Sequence, residues 1–202
     1  MPIVSKRARA VTAASLTLCL IALDMVAPAI AGAAPAVPSS YQDHVTMQVQ
    51  QKAQWCWAGS GNTIAAYHGA AVSQTRFCQL AHDENGADCA DLPGSLADAK
   101  RAFARLGFAS PGDYLHGRIP YSDIQAQVAS NHPIETRISW RSGGAHMHVV
   151  YGYDTKNGAA KDGWIAWGDP WPSYRRYNWS TYDFYTGNSS FTWTHTLTGI
   201  AR

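Results

Sequence analysis

Long apolar runs are scarce in this chain of 202 residues. The longest, roughly Val11 to Leu23, ends at Asp24 and falls short of the about 20 apolar residues that a bilayer needs. Nothing after it is apolar enough to span a membrane. Basic residues (Lys6, Arg7, Arg9) precede the run and small residues follow it, with Ala29-Ile30-Ala31 giving an A-x-A pattern. That order predicts a secretory leader over 1–31, cleaved between about 31 and 35. A single domain over 35–202, free of the membrane and secreted from a bacterial cell, would follow.

A charge of one sign is lacking too. Of 16 Lys and Arg against 14 Asp and Glu, three bases and one acid fall in the leader, so 13 of each remain. A balanced chain without a clustered basic face gives no reason to expect a nucleic-acid partner. Internal repeats and low-complexity linkers are also missing. The remaining stretch of about 170 residues suits one domain, burying roughly 70% of its unfolded surface. Its eight Trp and ten Tyr supply bulky core groups.

Cysteine is the most telling scarcity. Of four, Cys19 leaves with the leader, so Cys56, Cys78 and Cys89 remain. In an oxidising compartment two of three should pair. Cys78 and Cys89 bound a polar, loop-like stretch that one bridge closes easily, at about 2–3 kcal/mol in the loop-entropy picture. Cys56 is then left as a lone thiol, and a secreted protein seldom keeps one unused.

The first half of the chain reads as helical. His44 to Val49 alternates like a short strand in a lead-in loop. A helix should start at or near Cys56, run through Ile64 and Tyr67, and stop near His68-Gly69. Gly59 and Gly61 weaken it by roughly 1 kcal/mol each, so packing rather than propensity must hold it. Ser95 opens a second helix with Leu96, Ala99, Phe103 and Leu106 at helical spacing, stopped by Gly107. Ser122 and Gln125 form a capping-box pattern for a third, Asp123 to Ala129. From Pro133 the period drops to two. Strands are expected at 134–140, 146–153, 164–167 and 190–198, with turns at Ser142-Gly143-Gly144, Asn157-Gly158 and Gly187-Asn188. The class predicted is α+β: an N-terminal helical part carrying the Cys helix, packed on a C-terminal antiparallel sheet.

Three pieces carry chemistry. Gln54-Trp55-Cys56-Trp57-Ala58 sets a thiol at the first turn of a helix, where unpaired N–H groups and the dipole favour a thiolate. His146 starts a β-branched strand after the Gly143-Gly144 turn, and His148, two residues on, faces the same side. Asp169 ends the next strand, where a hairpin can bring it beside His146 to orient the imidazole. Cys56 could instead be an inert buried thiol, and His146, His148 and Asp169 could be metal ligands. His44, His68, His82, His116, His132 and His195 show no partner pattern and read as surface or packing residues.

The ordered set of Gln, Trp-Cys-Trp-Ala, a Cys-spaced loop, Pro-Gly-Ser-Leu, Gly-Gly with His, Val-Val-Tyr-Gly-Tyr-Asp, Asp-Pro-Trp and Trp-Thr-His-Thr runs from about Val45 to Leu197. It resembles the secreted bacterial papain-like cysteine peptidases, whose relatives include a plant-pathogen effector protease and the double-glycine leader peptidases of bacteriocin exporters. The resemblance implies a papain-like fold and a monomeric enzyme that hydrolyses protein or peptide substrates through a thioester acyl-enzyme, with no cofactor. Carried over by position, it makes Cys56 the nucleophile, His146 the base and Asp169 the acid. It also puts an oxyanion-hole Gln six residues before the Cys, at Gln50, with Gln48, Gln51 and Gln54 competing. Two departures stand out: Gly59 and Ser60 follow Ala58, and the extra Ala145 leaves the choice between His146 and His148 open. Two other functions stay open beside peptidase. One is a cell-wall cysteine amidase, in which His148 would be the third member. The other is a non-catalytic module binding through Trp171 or Trp179.

Overall fold

Alternation along the second half of the chain gives the sheet two apolar faces, and helices cover both. The computed structural model describes residues 37–155 and 162–202. The leader, its cleavage point and the Asn157-Gly158 turn lie outside the described residues. The order is β1 (Ser40–Gln42), α1 (Cys56–Tyr67), α2 (Gln74–His82), α3 (Leu96–Arg105), β2 (Ser110–His116), α4 (Tyr121–Ala129), β3 (Ile134–Trp140), β4 (Ala145–Asp154), β5 (Trp164–Gly168), β6 (Tyr177–Thr181), α5 (Tyr182–Thr186) and β7 (Phe191–Ala201).

All strands pair antiparallel in one sheet, in the order β2-β7-β3-β4-β5-β6. β3 pairs with the first part of β4, as far as Val150, and β1 pairs with its last three residues. One face packs Met147, Val149 and Leu197 against Trp57 and Ile64 of α1, Phe77 of α2 and Phe103 of α3. The other packs Ile134, Ile138, Val150 and Trp193 against Ile124 and Val128 of α4 and Tyr185 of α5. The architecture is mixed helix and antiparallel sheet, as predicted.

α1 is buried from Trp57 to Ala65, which explains how it tolerates two glycines. A Cβ on Gly61 would sit 2.6 Å from the Phe77 ring, and one on Gly59 would press on Pro170 and Gln50 at 3.2–3.4 Å. The glycines let the helix sink between α2 and the loop after β5. Burial on this scale outweighs the roughly 1 kcal/mol that each glycine costs in propensity.

Several expectations need correction. His44 to Val49 is not a strand. Val45 and Met47 are buried alternately, but the segment has no ladder. Two of its N–H groups go to side chains instead, Met47 to Tyr177 Oη and Gln48 to Thr63 Oγ1. The stretch around Cys78 is not all loop. It contains α2, capped by Ser73, whose hydroxyl accepts the Arg76 N–H, and ended by Asp83 at φ 64°. The predicted bridge is present, Cys78–Cys89, tying α2 to the following loop. Ser122 and Gln125 do not form a capping box. α4 starts at Tyr121 after Pro120, with no side-chain cap. The capping box belongs to α3, through Ser95 and Asp98. β2, β6 and α5 were not anticipated, and β2 interrupts the expected order of helices before strands. Among the described residues, no helix is long and apolar enough to cross a membrane.

Candidate active site

The thiol is positioned by its helix and by two indoles. Cys56 is the first residue of α1, and Trp55 before it offers no side-chain cap. The first helical hydrogen bond is Gly59 N–H to Trp55 O. The N–H groups of Cys56, Trp57 and Ala58 therefore have no acceptor within the helix and face its open end. Trp55 and Trp57 are fully buried, and their ring N–H groups donate to Ala90 O at 2.9 Å and Leu92 O at 3.3 Å. These bonds hold the start of α1 against the loop that the disulfide anchors. Cys56 is the free cysteine among the described residues, partly exposed.

The imidazole arrives from the sheet. Gly143 (φ 99°) and Gly144 (φ 83°) take left-handed conformations that other residues resist, and they close a tight turn between β3 and β4. His146 follows on β4. β5 runs antiparallel beside β4, and its end releases Asp169 next to the start of β4. His146 Nε2 lies 2.8 Å from Asp169 Oδ1, with both side chains buried. The same oxygen accepts the Trp171 N–H at 2.8 Å, and Arg176 donates to the Asp169 carbonyl. With Nε2 so engaged, Nδ1 is the free ring nitrogen, and His146 borders the same cleft as Cys56. Trp140 stacks near the His146 ring and Trp171 meets it edge-on.

His148 shares the face but not the contacts. It is buried, with Nδ1 3.1 Å from Tyr185 Oη and Nε2 3.5 Å from Asp169 Oδ2. Tyr185 Oη in turn lies 2.6 Å from Thr136 Oγ1. The acid thus sits between two imidazoles, one toward the thiol and one toward the core.

The electrostatics separate the two histidines. Burial opposes charge on His146, but the influence of Asp169 and Cys56 outweighs that and raises its pKa to about 9. Burial and the repulsion of His146 outweigh the help of Asp169 at His148, whose pKa falls. Burial would raise Asp169, yet the two imidazoles hold it well below the usual carboxylate range. His146 can therefore be an imidazolium beside the thiol while His148 stays neutral. These three residues also offer ligand atoms within 4.8 Å of one another. Their 2.8 Å contact is a hydrogen-bond length, however, and a metal there would leave the paired thiol without a part.

The glutamines divide clearly. Gln50 is buried beside the first turn of α1, where its amide donates both hydrogens, to Lys52 O and Ala53 O, each at 2.8 Å. Its N–H reaches Pro170 O at 2.9 Å, linking this loop to the segment after Asp169. Gln48 is committed to Asn62 and Gln74, and Gln51 offers its backbone N–H to Gln74. Gln54 is exposed and lines the cleft with Cys56.

Sequence reasoning missed Glu135. This residue is fully buried beneath α1, 3.4 Å from where a Gly61 Cβ would stand, and neither carboxylate oxygen has a partner among the described residues. Burial, helped by Cys56, pushes its pKa well above the usual carboxylate range, which favours the uncharged form. Nothing in the pattern of β3 marks it, since a central buried strand admits any residue that can lose its charge.

A family model described as papain-like cysteine protease AvrRpt2 matches residues 38–189, most of the chain. No curated protein gives a significant match.

Proposed function

Because the chain belongs to the papain-like cysteine protease AvrRpt2 family and is a cysteine peptidase, we propose that it is a secreted enzyme cleaving peptide bonds with Cys56, His146 and Asp169. The observation that carries this reading is the 2.8 Å hydrogen bond between Asp169 and His146, with His146 bordering one cleft together with a thiol at an uncapped helix start. The Cys56 thiolate attacks the peptide carbonyl and forms a C–S bond. The carbonyl oxygen becomes an oxyanion. His146 gives its proton to the departing amine as the C–N bond breaks, leaving a thioester. Water then attacks the thioester, giving its proton to His146, and the acid product leaves the thiolate restored. Asp169 keeps the imidazole turned throughout and stabilises its charged form whenever it holds the proton. An acid in this orienting place, rather than a second imidazole, favours peptidase over a cell-wall amidase.

The Cys56 N–H is one oxyanion donor, and Gln50 is the second, by exchanging one loop carbonyl for the oxyanion. Gln50→Ala should lower kcat by about 10²–10³, the usual cost of a single donor. Gln54→Ala should change it by less than about tenfold. Steady-state rates of the two variants on one peptide decide the role, and the opposite order gives it to Gln54.

The active pair should also set the alkaline limit. His146 is the proton donor below about pH 9 and loses that proton above it. Activity as kcat/KM should therefore hold up to about pH 9 and decline beyond. The stabilisation gained from the His146–Asp169 pair follows the same sign. It is complete below the unfolded value of about 6.5 and fades as pH rises through about 9. A pH–rate profile with parallel thermal melts checks both.

The test of the proposal is alkylation by a peptidyl epoxysuccinate. One adduct, on Cys56, with loss of casein hydrolysis in proportion, is the expected result. Labelling at another site, or hydrolysis that persists after Cys56 is fully modified, overturns the proposal.

A further inference from the structure

The cleft beside Cys56 has two arms of unlike chemistry. Both are bordered by Cys56, Gln54 and His146. One, of about 230 Å³, adds the aromatic walls Trp140, Trp171 and Tyr174. The other, of about 400 Å³, adds Pro93, Gly94, Met147 and a single charged side chain, Arg137. A peptide laid across the thiol must use both.

Arg137 is held in place but not neutralised. It stands on β3 opposite Met147 of β4 and His195 of β7, so all three project from one face. Its Nη1 donates to Ser139 Oγ and Thr194 Oγ1, both at 2.9 Å, and lies 3.5 Å from His195 Nδ1. Hydroxyls orient a guanidinium without cancelling its charge. Among the described residues no carboxylate forms an ion pair with it. The row continues with aromatic side chains, and burial with the charge of Arg137 lowers the pKa of His195, so no counter-charge to Arg137 comes from it. His195 pairs with His116 of β2, their rings 4.9 Å apart, and Tyr114 stacks on His195. Glu135, two residues before Arg137 on the same face, is buried, with neither carboxylate oxygen hydrogen-bonded among the described residues, and burial pushes its pKa well above the usual carboxylate range. A half-buried guanidinium with free N–H donors, neutral supports and no counter-ion presents a fork that fits a carboxylate bidentately.

We propose that the Arg137 arm is a subsite for an acidic side chain of the substrate, Asp or Glu, placed to one side of the scissile bond. This rests on the peptidase reading. A strand advances about 3.3 Å per residue, and one arm touches both Cys56 and Arg137. The acidic residue therefore lies within about three positions of the bond cut. The aromatic arm takes the other side.

Peptides that differ only by Glu or Gln at each of the three positions on either side of the cut give the test, with the full chain as enzyme. At one position, kcat/KM for Glu should exceed that for Gln by about tenfold or more, as for a charged hydrogen-bonded contact. The advantage should shrink as salt rises. In Arg137→Gln the Glu-to-Gln ratio should fall to about one, and in Arg137→Glu it should drop below one. These ratios are taken within each enzyme, so a partly folded variant does not distort them. Equal rates for Glu and Gln at every position in the unaltered enzyme, or a preference that survives in Arg137→Gln, overturns the subsite alone. No cleavage of any peptide, together with no labelling of Cys56, overturns the peptidase reading and the subsite with it.

Discussion

Cys56→Ala should reduce peptide hydrolysis to the uncatalysed background while leaving the fold intact. The other two cysteines among the described residues are joined to each other, so no second thiol can take over the attack. The substitution removes one sulfur from a partly exposed site at a helix start. Alanine suits a helix at least as well as cysteine does, so thermal unfolding should move little. His146 loses the influence of Cys56, which favours its charged form. Its titration, followed by NMR, should shift downward in the variant. Substantial turnover in purified Cys56→Ala would remove the nucleophile assignment altogether.

His146→Ala should lower kcat/KM by about 10³–10⁴, and His148→Ala by about tenfold. The first estimate is the upper part of the range for losing a general acid–base group, because His146 also supplies the positive charge that favours the thiolate. His148 touches Tyr185 and the far oxygen of Asp169. Its loss leaves the acid with one imidazole and the core with a cavity. The damage from His148→Ala should therefore fall on stability, by about 2–4 kcal/mol for a large buried side chain cut to alanine. Stability and rate thus separate the two residues. Steady-state kinetics and denaturant melts on both variants measure the split, and a larger catalytic loss in His148→Ala would assign it the proton transfer.

The parts of this site that could be read from sequence are those in which local pattern and chemistry coincide. Cys56 was legible because a helical period begins there. His146 and Asp169 were legible because alternation and turn residues placed one at the start and one at the end of paired strands. Ala145 blurred the choice between His146 and His148, and only the hydrogen bonds to Asp169 and Tyr185 distinguish them. What stayed hidden depends on pairing across the sheet. Arg137, His195 and His116 lie far apart in the chain and meet only because β7 inserts between β2 and β3, with a register shift just after Arg137. β2 and β6 were hidden for a different reason. Each carries polar residues on its exposed positions and lies at an end of the sheet, so half-burial left no clean alternation. α2 was masked by the polar residues around Cys78, which cover its outer side while Phe77, Cys78 and Ala81 face the core.

The strand order also has a consequence in time. The thiol belongs to the first helix, while its imidazole and acid belong to strands far along the chain. β3, the strand next to His146, has β4 on one side and β7 on the other. β7 follows every other strand among the described residues in chain order. Until it docks, β3 has an open edge and the hairpin that carries His146 is supported on one side only. Long-range pairing of this kind forms late and all at once. A chain in which β7 has not docked therefore holds the Cys56 helix start while the His146 hairpin still lacks one of its two flanking supports.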